Sequence, residues 1–452
     1  MTRQTPDVES SPEKRRAAAG LFERAGQSAA ANGHAHAARL LLECCRLDPA
    51  NLLFRQSLRR AAKARYNNNL RGGWFAWLFN WPARIGLRRA EAAGRHLDVF
   101  EAAEAILSRQ PWDVPAQEAL ARSADALGLI DLAIWSLEQA RQTDPAGREL
   151  NRSLARLHER RGNFTQALAL WERICADHPA DADADARRAQ LSRPSGPVPP
   201  SWPEMAAAPA DPVEREASAL RKAVEDDPTS AAAHLALARL YRQAGRYEQA
   251  HQVLAGGLGP AGNAFELSVE MASLAVEPPR RDLAIALDKL ADSPADEALI
   301  EIRDALEREV LTRESDLFRL QADRFPNEPR FRHDLGVRLL HLGQIEEAIS
   351  ELTLACADEQ LRWRALAGLG RCWRAWANAG RALKHFEDAL TCAPPGDPGR
   401  LDLLYEAACC HADAGAPERA VERGGELAEQ APGHRDILQL LPGWQARARS
   451  PS

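Results

Sequence analysis

Proline marks a fixed interval in this chain: Pro111, Pro145 and Pro179 fall 34 residues apart, with the same residue types recurring between them. A period of this length is the signature of a solenoid built from helical hairpins, in which each hairpin buries its apolar face only against its neighbours. Between the prolines run two cycles, Val114–Pro145 and Arg148–Pro179. Each reads as an apolar helix, a glycine (Gly128, Gly162), a second apolar helix, and then Asp-Pro or His-Pro.

The small residues carry the pattern further. Ala121, Ala155, Ala238, Gly336, Gly370 and Ala408 hold the eighth position of their cycles, and Ala133, Ala167, Ala250, Ala348, Ala382 and Ala420 the twentieth. At both places two helices must approach too closely for a larger side chain. Bulky residues fill the twenty-fourth: Leu137, Trp171, Leu254, Leu352 and Phe386. A chain of 452 residues exceeds one ordinary core, but a repeat array escapes that limit.

This grid identifies the chain as resembling the tetratricopeptide repeat (TPR) superfamily. The stretches Arg65–Gly72 and Arg161–Glu172 resemble parts of bacterial repeat proteins of unassigned function. The resemblance implies an all-α, right-handed superhelical solenoid of about ten helical hairpins, in two blocks. Its concave groove would be lined by the first helix of each hairpin. It also implies a scaffold that holds a peptide or a partner helix and performs no chemistry, with no cofactor and no metal.

The predicted organisation is a disordered tail (1–12), an N-terminal block (13–179), a Pro/Ala-rich linker (180–212) and a C-terminal block with a capping helix (213–452). The linker reading rests on Asp-Ala alternation followed by Arg193-Pro194-Ser195-Gly196-Pro197-Val198-Pro199-Pro200. Degenerate units are expected over about 263–326. Pro49 to Pro111 spans 62 residues, six short of two periods. The aromatic segment 66–82 falls there and is expected to replace a regular second helix.

A net charge of -6 argues against a general nucleic-acid binder. Eight cysteines without a C-x-x-C spacing read as buried thiols in a reducing compartment. A polar N-terminus, and the lack of any apolar run near the ~20 residues that span a bilayer, give a cytoplasmic expectation.

In the geometry that the resemblance implies, positions two, five, nine and twelve of each first helix face the groove. Position nine gives Arg122, Arg156, Arg239 and Arg371, and Arg152, Arg242, Arg364 and Arg374 stand at neighbouring groove positions. Arginine's planar fork binds carboxylates and phosphates through paired charge-assisted hydrogen bonds, so such a row would suit an acidic partner segment. The alternative is that Glu118, Asp125, Glu149 and Glu159, on the same stripe, neutralise them. A second candidate surface is aromatic. Trp74, Trp77 and Trp81, flanked by Arg71, Arg84, Arg88 and Arg89, would grip a partner or dip into a membrane interface, or else fill the gap left by the shortened repeat.

Other motifs fail in context. Gly257-Leu258-Gly259-Pro260-Ala261-Gly262 follows a helix, where a dinucleotide site needs a strand before it. His34-x-His36 and Cys409-Cys410-His411 supply no four-ligand zinc set. Asp181, Asp183 and Asp185 lack the glycine and terminal glutamate of a calcium loop.

Overall fold

The computed structural model describes residues 10–69, 76–192 and 212–449, except for the side chains of 76–79 and 212. Among the described residues the chain is all-α, with 22 helices. It divides into two compact units: the chain up to Pro199 together with Ala284–Ile302, and the remainder.

In the first unit, α1 (Pro12–Ala30) and α2 (His34–Leu47) form a hairpin, and α3 (Leu52–Arg65) packs on α2. Three hairpins follow: α4 (Ala76–Ala92) with α5 (His96–Leu107), α6 (Val114–Ala126) with α7 (Ile130–Arg141), and α8 (Arg148–Arg161) with α9 (Phe164–Asp177). The single helix α10 (Ala182–Leu191) packs on α9. The second unit opens with α11 (Pro212–Asp226) and the hairpin of α12 (Ala231–Gln243) and α13 (Tyr247–Leu258). Next come two helices of 28 residues, α14 (Phe265–Asp292) and α15 (Glu297–Arg324), from which Ala284–Ile302 is assigned to the first unit. The second unit continues with α16 (Pro329–His341) and α17 (Ile345–Ala355), α18 (Arg362–Ala375) and α19 (Ala379–Cys392), and α20 (Gly399–Asp413) and α21 (Pro417–Gln430). Helix α22 (Ile437–Arg449) packs on α21.

Each turn within a hairpin needs one residue in the left-handed region. Gly162, at φ 88°, serves that purpose between α8 and α9, where a side chain would strain the backbone. Ala377 takes the same place between α18 and α19 at φ 54°, a conformation that costs an alanine about 1–2 kcal/mol.

The grid read from the sequence is the packing rule of the core. The six alanines at position twenty are all 0% exposed. The residue at position eight meets the bulky residue at position twenty-four of its own hairpin. A Cβ added to Gly370 would stand 2.5 Å from Phe386 Cε1, and one added to Gly336 would stand 2.7 Å from Leu352 Cγ. Large and small residues therefore alternate across the helix pair and fix its separation.

The structure departs from the sequence reading in four places. Residues 182–191 form a helix in place of linker. The Asp181 side chain accepts from the Ala184 amide as N-cap, Asp183 and Asp185 sit in the first turn, and Ala184 and Leu191 are buried. Ser10 lies outside any tail: it is buried, and its hydroxyl donates to the Leu47 carbonyl at 2.8 Å. Residues 1–9 and 193–211 lie outside the described residues. The aromatic segment is no substitute for a second helix, because Ala76 onward is the first helix of the α4/α5 hairpin, running through Pro82. Finally, the degenerate stretch is two long helices. No glycine or asparagine interrupts Phe265–Asp292, and Pro278 and Pro279 are carried inside the helix.

Candidate protein-binding face

Successive first helices are joined side to side by ion pairs between residues about one period apart. In the first unit, Arg122 of α6 reaches back to Glu91 of α4 at 2.7 Å. Arg156 of α8 reaches forward to Asp183 of α10 at 3.0 Å, and Arg160 pairs with Asp125. Arg152 bonds Asp181 at 2.5 Å and Glu149 at 3.2 Å, and Arg148 joins it on Asp181 at 2.9 Å. Burial disfavours the Asp181 anion, but the Ala184 amide and these two guanidinium groups outweigh it and hold the carboxyl below its usual range.

In the second unit, Arg239 and Arg242 of α12 share Glu270 of α14, at 3.2 and 2.9 Å. Arg371 of α18 straddles both oxygens of Glu406 on α20 at 2.9 Å, and Arg364 lies 3.5 Å from Asp397. The Arg374 guanidinium makes no hydrogen bond or ion pair among the described residues; Trp373 and Trp376, packed edge-to-face with centroids 5.4 Å apart, flank it in sequence.

Thus seven of the eight candidate arginines have carboxylate partners. Of the four expected neutralisers, only Glu149 meets one of the eight. Asp125 serves Arg160, while Glu159 accepts from Trp171 Nε1 at 2.7 Å and pairs with Arg187 at 3.3 Å. Glu91, Asp181, Asp183, Glu270 and Glu406 were missed. They stand 27 to 35 residues from their arginines, and a search for opposite charges one period apart would have found them.

Of the aromatic candidates, Trp74 lies outside the described residues. Trp77 falls within α4, but its side chain is not described. Trp81, one turn beyond Trp77, is 63% exposed, with Ile85 also exposed one turn further. Arg88 and Arg89 are exposed at the end of the same helix.

Nothing among the described residues gathers three metal-ligating side chains. Gly257 is small because its Cβ would collide with the His234 ring at 2.6 Å, a packing role. His411 is buried on α20 and lies 3.1 Å from Glu387. All eight cysteines are free thiols; burial pushes Cys44 and Cys372 up to about 11, which leaves them protonated at neutral pH. No helix among the described residues is long and apolar enough to cross a membrane.

Two family models of the tetratricopeptide repeat match the chain, over residues 217–266 and 148–191. No curated protein matches it. Solved structures similar to it include YrrB, described as a TPR protein with an unusual peptide-binding site. It is 21% identical, the match covers 50% of this chain and 98% of that one, and the TM-score is 0.29. Yeast Tom70 is 13% identical over 82% of this chain and 96% of its own, with a TM-score of 0.26. A tetratricopeptide repeat protein from Parabacteroides merdae is 13% identical over 74% and 98%, with a TM-score of 0.21. The matched segments lie one in each compact unit, and the same small-residue grid runs through the hairpins around them, so the chain carries tetratricopeptide repeats in both units.

Proposed function

We propose that this repeat protein is a non-catalytic scaffold that holds an extended, acidic segment of a protein partner along its first-helix face. The observation that carries the reading is the sharing of Glu270 by Arg239 and Arg242, which leaves one positive charge in excess beside an exposed arginine. Arg374 repeats that excess on α18. Exposed pairs such as Arg122–Glu91 contribute about 0–1 kcal/mol each, so a guanidinium with five donors can take a partner's carboxylate at small loss. Nucleic acid is not the expected partner for a chain of net charge -6. The setting proposed is the cytoplasm, where free thiols persist.

The test uses labelled peptides of equal length and graded Asp/Glu content. Binding should rise with acidity and weaken with added salt. Arg122→Glu, Arg156→Glu and Arg239→Glu together should lower affinity at least about tenfold, with the helical content retained. Affinity independent of peptide charge, or equal in the triple variant, would remove the groove from the function.

A second reading, favoured by the exposed Trp81, is peripheral contact with an anionic membrane through α4. Liposomes rich in anionic lipid should then co-float with the protein, and Trp81→Ser should abolish this. Flotation unaffected by the substitution, or none at all, ends that reading.

A further inference from the structure

Helix α3 lies outside the hairpin pattern and carries a row of cations, Arg55, Arg59 and Lys63, at successive turns of one face. The row crosses second helices. Arg55 stacks on Phe100 of α5 with 4.7 Å to the centroid, and Arg59 lies 5.8 Å from the centroid of Trp135 on α7. Lys63 Nζ donates to the Gln139 and Gln142 side chains of the α7 end, at 2.9 and 2.7 Å. Arg55 and Arg59 are 1% and 2% exposed, and they share a single carboxylate, Glu104, itself 1% exposed.

That carboxylate does not satisfy them. Arg59 Nη2 donates to Glu104 Oε2 at 3.2 Å. Arg55 Nε stands 3.4 Å from Oε1 without hydrogen-bond geometry. Nε and Nη1 of both arginines are buried with no acceptor, although a buried donor without a partner costs about 1–3 kcal/mol and a buried unpaired charge costs more.

The two glutamines that Lys63 meets also line a concavity of about 470 Å3 on the second-helix side. Its lining includes Gln139, Gln142, Glu138, Arg141 and Arg173. Arg141 forms no ion pair among the described residues, and Arg173 is 3.8 Å from Asp177. Around the concavity, Lys63, Arg141 and Arg173 stand with two carboxylates, Glu138 and Asp177, while Arg55 and Arg59 lie buried behind them with Glu104 alone. One positive charge in excess at the concavity and a second buried behind it, with the forked donors and the two glutamine amides, suit a phosphate group; a phosphate ester carries about -1.5 to -2 at neutral pH.

We propose that Lys63, at the end of the α3 row, and the concavity beside it form an anion site for a phosphate group, supplied either as inorganic phosphate or on a phosphorylated side chain of a partner. The site is on the opposite helix of each hairpin from the arginines of the first-helix face and is independent of them.

The experiment titrates the whole protein with inorganic phosphate and with a phosphoserine peptide, by calorimetry and 31P line broadening, against sodium chloride at the same ionic strength. Wild type should bind at least one of them, and sulfate should compete. Lys63→Gln with Arg141→Gln should weaken binding about tenfold or more, whereas Arg122→Glu with Arg156→Glu should leave it unchanged. Inorganic phosphate binding as well as the peptide identifies a free anion as the ligand; a peptide preference of about tenfold identifies a modified partner. Should the first pair fail to fold, Arg141→Gln with Arg173→Gln, on side chains nearer solvent, makes the same comparison. No binding of either probe beyond chloride, or full binding by a folded variant, overturns the proposal.

Discussion

Glu104→Ala should destabilise the first unit by about 3–5 kcal/mol. The substitution removes little volume. Its effect comes from the two guanidinium groups left behind: Arg55 and Arg59 would remain in a site that water does not reach, with no carboxylate between them. The control is the simultaneous replacement of Arg55, Arg59 and Glu104 by Met, Met and Leu. Removing all the charges at once should be neutral or stabilising, because the desolvation of the ions disappears with them. Two compact units make a single denaturation midpoint hard to interpret, so the readout is native-state hydrogen exchange of the α3 and α5 amides. A loss under 1 kcal/mol for Glu104→Ala would mean that the arginines find other acceptors.

Trp171→Ala should cost about 3–5 kcal/mol in the α8/α9 hairpin. Trp171 is 0% exposed and holds the twenty-fourth position, where α8 and α9 are kept at their separation. Its Nε1 also donates to Glu159 at 2.7 Å, and Arg187 of α10 pairs with that same carboxylate. The alanine variant would therefore open a cavity and remove a hydrogen bond from the carboxylate that ties α8 to α10. Trp171→Phe, which keeps most of the volume and loses the donor, should cost clearly less. Exchange rates of the α9 and α10 amides separate the two; equal losses would place the whole effect in the hydrogen bond.

The parts of this fold that could be read from the chain are those where one hairpin repeats the next. Ala133, Ala167 and Ala250 are legible because contact between two helices of one hairpin excludes anything larger, and the exclusion recurs every period. The end of α3 is set locally in the same way: Asn67 and Asn68, residues that tolerate the left-handed region, take φ values of 49° and 52° there. What escaped was decided by tertiary neighbours. Ala182–Leu191 has the composition of a solvated linker, yet α9 offers an apolar face for Ala184 and Leu191, and Asp181 caps the start. The stretch expected to hold degenerate units is instead two long helices, the first continuing through Pro278 and Pro279. On the first-helix face the arginines were found and, Glu149 apart, their partners were not, since attention to one helix at a time hides a carboxylate such as Glu406, 35 residues after Arg371. The Arg55–Arg59–Glu104 cluster was invisible for a stronger reason. Nothing in a stripe of arginines on an amphipathic helix distinguishes a solvated face from one laid against two other hairpins.

Helix α3 also constrains the order in which the chain can fold. In a plain repeat array every contact is to the next unit, so structure can nucleate anywhere and spread in either direction. The Lys63 contacts with Gln139 and Gln142 join residues 76 and 79 apart, more than two periods. Closing that distance is entropically costlier than adding a neighbour, and it requires α5 and α7 to be in place before α3 can dock. From residue 52 to residue 142 the array thus loses its zipper-like character: these helices form and come apart as one cooperative block, and a fluctuation that starts in the α6/α7 hairpin is felt at α3.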